Sequence, residues 1–127
     1  MSALTVYQGK VFKQGLPVLN PDGTAYDLTG TTLWFTVKLA SDLSQNDTLA
    51  PIQLYLIVGG AGSGITVTTP STGIATIKMT TAQTEPLVIG ESYVYDLQVK
   101  DTAGDVFTAL KDALYVTSPV TQRVTTP

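Results

Sequence analysis

Hydrophobic and polar positions alternate with a period of two over several stretches of this chain, and turn residues separate the stretches. Residues 31–39 are the clearest case. Leu33, Phe35, Val37 and Leu39 fall on one side of an extended strand, with Trp34, Thr36 and Lys38 on the other, because successive side chains of a strand point to opposite faces. Residues 91–100 repeat the pattern, with Tyr93, Tyr95, Leu97 and Val99 set against Asp96, Gln98 and Lys100. Residues 51–58 carry Ile52, Leu54, Leu56 and Val58 on one face and Tyr55 and Ile57 on the other. Both faces of that strand are therefore expected to be partly covered. Trp34 lies opposite its strand's apolar row, so a loop, a strand or another subunit is expected over it.

The turn residues set the boundaries. Residues 4–12 predict a first strand, with Gly15-Leu16-Pro17 as a bend and Val18-Leu19 as a short continuation. Asn20-Pro21-Asp22-Gly23 is a turn, since proline presets φ and glycine accepts positive φ. Asp27-Leu28-Thr29-Gly30 makes a second bend. Residues 40–50 read as a polar loop, and Gly59-Gly60-Ala61-Gly62-Ser63-Gly64 as a flexible connector. Residues 64–69 and 73–79 predict a hairpin across Pro70-Ser71-Thr72-Gly73. Thr80 and Gln83 form a capping box. Pro86 stops that helix after one turn, which crosses between sheets. Asp101-Thr102-Ala103-Gly104-Asp105 is a hairpin loop. Residues 106–110 then return, Lys111-Asp112 interrupts, and residues 113–117 finish.

Seven to eight antiparallel strands with short links and one short helical turn describe an all-β chain. The expected fold is an Ig-like antiparallel β-sandwich over residues 1–117, with an extended C-terminal tail over 118–127. The tyrosines that follow Gly90 suit a tyrosine corner. The Cys-Trp-Cys set of true immunoglobulin domains is missing, and a small closed barrel is the alternative.

Composition narrows the chemistry. The 127 residues suit one domain. There is no histidine and no cysteine, so histidine-assisted nucleophiles, thiol catalysis and disulfides are ruled out and zinc sites disfavoured. The carboxylate pairs Asp22 with Asp27 and Asp101 with Asp105 lie in turns, where aspartate caps local backbone groups. Neither pair has the spacing of a calcium loop. The glycine run lacks the Gly-Lys-Ser/Thr ending of a phosphate loop. The chain is therefore read as no enzyme, with no catalytic residue, cofactor or metal. The seven basic residues are scattered and the net charge is −3, which argues against nucleic acid. No apolar run approaches the roughly 20 residues that span a bilayer, and no secretory signal is visible. Charged residues are only 13%, about half the usual quarter. A neutral, threonine-rich surface suits either a protein packed against partners or simply a threonine-rich sheet. Trp34, Tyr55 and Tyr115, with Arg123 in the tail, are the candidate interface residues; aromatics concentrate at interface centres but also pack in cores.

The segment from Asp22 to Lys38, with its Asp27-Leu28-Thr29-Gly30 bend and aromatic strand, is followed by Gly90-Glu91-Ser92-Tyr93-Val94-Tyr95-Asp96-Leu97-Gln98-Val99-Lys100-Asp101 and by Gly104-Asp105-Val106-Phe107-Thr108. Together these resemble small Ig-like β-sandwich virion proteins of tailed bacteriophages, including the N-terminal domain of phage upper baseplate proteins. The resemblance implies a non-enzymatic structural protein that docks onto the tail, baseplate or capsid surface. Its partners would be other virion proteins, with copies repeated by the particle's symmetry, and its location the virion, after synthesis in the host cytoplasm. The alternative is a carbohydrate-binding module that uses Trp34 or exposed tyrosines as stacking platforms beside Asp or Gln. Residues 40–50 and 118–127 are the segments expected to order on assembly.

Overall fold

A computed structural model describes residues 3–43 and 50–118 of the chain. Arg123, most of the 40–50 segment and nearly all of the tail lie outside the described residues. Among the described residues nine strands form two sheets. They are β1 (Leu4–Tyr7), β2 (Phe12–Pro17), β3 (Thr32–Leu39), β4 (Ile52–Ile57), β5 (Gly62–Ser63), β6 (Ile65–Thr66), β7 (Ile74–Met79), β8 (Tyr93–Lys100) and β9 (Val106–Thr117), with a 3-10 turn at Pro70–Thr72 and one α-helical turn, α1 (Thr81–Thr84). The six-stranded sheet runs β1-β9-β8-β3-β4-β5 and the three-stranded sheet β2-β7-β6. In immunoglobulin lettering this places β9, β8, β3, β4 and β5 at G, F, C, C′ and C″, and β2, β7 and β6 at B, E and D. Those eight strands follow the order of variable-type sandwiches, while β1 joins the larger sheet beside β9.

The alternating rows explain the layering. Leu33, Phe35 and Val37 of β3 sit between Leu56, Leu54 and Ile52 of β4 and Val99, Leu97 and Tyr95 of β8. All nine are buried or nearly so, in one cluster with Leu16, Ala75, Ile77 and Met79 of the opposing sheet. Phe35 and Tyr95 stack at the centre, their ring centroids 5.4 Å apart. This aromatic pair fills the region where antibody domains place a tryptophan against a disulfide. Trp34 is one position off that row and faces outward. Burial raises the Tyr95 phenol above its ordinary pKa, with the Asp112 charge adding to the effect.

Five details differ from the sequence reading. Residues 4–12 split into two strands in different sheets. The Lys10 N–H donates to the Tyr7 carbonyl at 3.0 Å and Gly9 takes φ 75°, so the chain turns before β2 begins. Gly15 is not a bend but a strand residue opposite Thr76; a Cβ there would lie 3.0 Å from the Ile74 Cγ2, so a glycine lets the sheet close. Lys111 and Asp112 do not interrupt β9, which continues through them because the register shift opposite Leu97 and Gln98 absorbs the extra residue. The glycine run supplies an extra two-residue strand, β5, while the hairpin strand expected over 64–69 is shortened to the two residues of β6, paired with β7. The first strand pairs with the last in parallel, Leu4 opposite Leu114 and Tyr7 opposite Thr117, so the sheet is not wholly antiparallel.

The caps are as the residues predict. Thr80 and Gln83 form a full capping box on α1, and the buried Thr84 hydroxyl donates to the Lys10 carbonyl at 2.8 Å, tying the helical turn to the β1–β2 connection. The Val88 N–H donates to the Tyr93 hydroxyl at 3.0 Å. That is a tyrosine corner at the entry to β8, reaching five residues back. Tyr93→Phe is expected to lower stability by about 1 kcal/mol in urea unfolding. Val88 is exposed, so water can reach the released N–H and keeps the loss modest. A loss above about 3 kcal/mol would mean that the hydroxyl has another role.

Candidate functional site

The outer face of the six-stranded sheet holds the residues with the most binding chemistry. Two neighbouring rows cross it. One runs Lys111–Asp96–Thr36–Gln53 and the other Thr108–Gln98–Trp34–Tyr55, each from β9 through β8 and β3 to β4. Adjacent strands lie about 4.8 Å apart, so each row presents four side chains within one small-ligand span. All four residues of the first row, with Gln98 and Trp34 of the second, line a trough of about 520 Å³, within the usual size of small-molecule sites; Thr108 and Tyr55 lie beyond its ends. Its rim includes Leu43, whose carbonyl accepts from the Lys38 Nζ at 3.4 Å.

The polar groups there are partly ordered. Gln98 Nε2 donates to Asp96 Oδ2 at 3.1 Å, an arrangement that alternate residues on one strand face allow. Trp34 is half-buried, with Tyr55 on one side and Gln98 on the other. Tyr55 and Ile57 are 39% and 49% exposed, so the outward side of β4 is partly covered, as expected.

The structure brings Trp34 and Tyr55 together and keeps Tyr115 apart. Tyr115 lies on the same face but on β9, two strands from β3 and about 20 Å further along the strand direction. Its partner across the ladder is Thr5 of β1, and Tyr7, opposite Thr117, lies diagonally two residues further on along the same face. Tyr7 and Tyr115 are 52% and 56% exposed. Tyr7 escaped the sequence reading because the parallel pairing of the first and last strands has no local signal.

The aspartates of the first two turns serve the backbone. Asp22 Oδ1 accepts from the Thr24 hydroxyl at 2.6 Å and its N–H at 3.0 Å. Asp27 Oδ1 does the same with Thr29 at 2.6 and 3.0 Å. These hydroxyl and backbone hydrogen bonds hold both carboxyls below the ordinary aspartate value. A depressed folded-state pKa contributes stability above the unfolded value and loses it as pH falls through the folded one. Melting temperature should therefore drop as the pH falls below about 4, and an Asp22→Asn/Asp27→Asn variant should show a flatter acid limb. Equal slopes in the two proteins would remove these turns from the acid response. Asp101 Oδ1 likewise accepts from the N–H groups of Ala103 and Asp105, both at 2.9 Å.

No protein-family model matches the chain, and no curated protein matches it in sequence.

Proposed function

We propose that this protein is a non-enzymatic structural module of a tailed bacteriophage particle, docking onto the tail, baseplate or capsid surface beside other virion proteins. The phage assignment rests on the sequence resemblance. Its two segments fold as one unit: the 22–38 segment leads into β3, the 90–108 segment forms β8 and the start of β9, and β3 pairs with β8 over eight positions from Thr32–Lys100 to Leu39–Tyr93. The docking role is carried by one observation, two exposed tyrosines, Tyr7 and Tyr115, on one face of the β1–β9 edge. Tyrosine offers a large contact area with little conformational entropy to lose and is enriched at interface hot spots. The sparse charge of the chain lowers the desolvation cost of covering such a face.

The test is incorporation into purified particles. Mass spectrometry should find the chain at a fixed stoichiometry, and cryo-EM should place its density at symmetry-related positions. Tyr7→Ser/Tyr115→Ser should cut incorporation by about tenfold, the loss of one modest hot spot. Infectious particles that lack the chain altogether would sink the proposal.

A further inference from the structure

We infer that the trough on the outer face of the six-stranded sheet is a saccharide site, in which a pyranose ring lies against Trp34 and its hydroxyls are held by Gln53, Asp96 and Gln98. The inference goes beyond the docking role and does not rest on it. The two surfaces occupy different parts of the face.

Three observations carry it. First, Trp34 presents an indole that is only half-buried in the middle of a sheet face, and Tyr55 extends the aromatic surface onto β4. The ring face of an aromatic is electronegative, which suits the weakly positive C–H groups on one side of a pyranose. Second, the polar groups beside it include both donors and acceptors. Asp96 accepts, the Gln53 and Gln98 amides do both, and Lys111 donates from the position opposite Asp96. A ring of hydroxyls, each a donor and an acceptor, is the ligand class that uses such a mixture. A purely apolar peptide face would leave those groups desolvated and unpaired, at a cost. Third, the site is part-built. The Gln98–Asp96 hydrogen bond fixes one amide next to the indole, while among the described residues the Gln53 amide and the Lys111 ammonium have no side-chain hydrogen bond or ion pair. The trough of about 520 Å³ has room for a short glycan segment.

Because Trp34 is the one tryptophan of the chain, its emission reports on this site alone. The experiment is a fluorescence titration of the full chain with maltohexaose, chitohexaose and trigalacturonate at up to millimolar concentrations, with glycerol as the control. At least one oligosaccharide should shift the emission saturably. Gln53→Ala and Gln98→Ala should each weaken that binding by about tenfold, with unchanged circular dichroism and melting. Tyr115→Ser should leave it unaltered, which separates this site from the docking edge. A salt-sensitive preference for trigalacturonate would assign Lys38 and Lys111 to an acidic substituent, and a salt-insensitive preference for a neutral oligosaccharide would assign the site to hydroxyl recognition alone. No saturable shift with any of the three would overturn the inference. So would a shift that survives both glutamine substitutions, or one produced only by other particle proteins.

Discussion

Replacing Phe35 by alanine is expected to lower the unfolding free energy by about 3–5 kcal/mol. Phe35 is fully buried at the middle of β3, flanked by Leu54 and Leu97 in register and stacked on Tyr95. Three terms add at this position. The side chain loses its transfer free energy, the aromatic pair loses its partner, and a cavity remains between two sheets that cannot collapse independently. Domains of this kind have about 5–15 kcal/mol in total, so the variant would lose a large part of its stability. Tyr55→Ala, on the outer face of the adjacent strand, removes a ring of similar size. It should cost only about 0.2–1 kcal/mol, the value of a cross-strand pair. Urea unfolding of the two variants tests the placement of the core. Equal losses would mean that the outer face is packed after all, against a second copy for example.

Gly73→Ala should cost about 2–5 kcal/mol, whereas Gly104→Ala should cost about 1–2 kcal/mol. Both glycines have positive φ, 70° and 94°, so an alanine at either pays for the left-handed conformation. Only Gly73 is enclosed. A Cβ there would lie 2.7 Å from the Val18 carbonyl oxygen, 2.8 Å from that of Tyr26 and 3.0 Å from the Tyr26 nitrogen. Those atoms are backbone, and the Val18 carbonyl and the Tyr26 N–H are already bonded to each other. The Val18 N–H donates to the Gly73 carbonyl at 2.7 Å, and the Tyr26 N–H donates to the Val18 carbonyl at 2.9 Å. The methyl group cannot be accommodated by turning a side chain, so three chain segments must move apart. At Gly104 nothing lies within 4 Å of the added atom. Thermal or urea unfolding that ranked the two variants equally would show that the packing at Gly73 relaxes freely.

The contrast between these glycines also marks what the chain reveals by itself. Their place in turns is plain from composition, since Gly73 ends Pro70-Ser71-Thr72 and Gly104 closes the β8–β9 loop. That Gly73 is threaded between two backbones 47 and 55 positions upstream, at Tyr26 and Val18, cannot be read locally. The same division holds for the strands. β3 and β8 were legible because one face meets the core and the other does not, which writes a period of two into the residues. The capping box and the tyrosine corner were legible because each uses a few residues at fixed spacing. β5 was not, because two residues cannot display a period; β6 was expected only as part of a longer hairpin strand over 64–69. The end of β1 was hidden because Val11 and Phe12 continue the apolar run past the turn at Gly9, so the sheet change left no trace in hydrophobicity.

The trough was half legible. The alternation put Trp34, Thr36, Asp96 and Gln98 on outward faces, and aromatic content flagged Trp34 and Tyr55. Which of these become neighbours depends on register between strands more than 50 residues apart. Register is set by the buried rows, because a slip of one residue would turn Leu33 and Phe35 outward. The core thus determines the binding face, although no core side chain belongs to it.

The parallel ladder between β1 and β9 has a mechanical consequence. The two strands run the same way, so tension applied through the start of one and the end of the other pulls them past each other along their length. Every hydrogen bond of the ladder, from Leu4–Leu114 to the Gln8 N–H on the Thr117 carbonyl, then bears load at once. Force applied across a hairpin, such as β8–β9 at its tip, would open the bonds one after another. The pairing that closes the sheet therefore also makes the chain resist extension along its own axis.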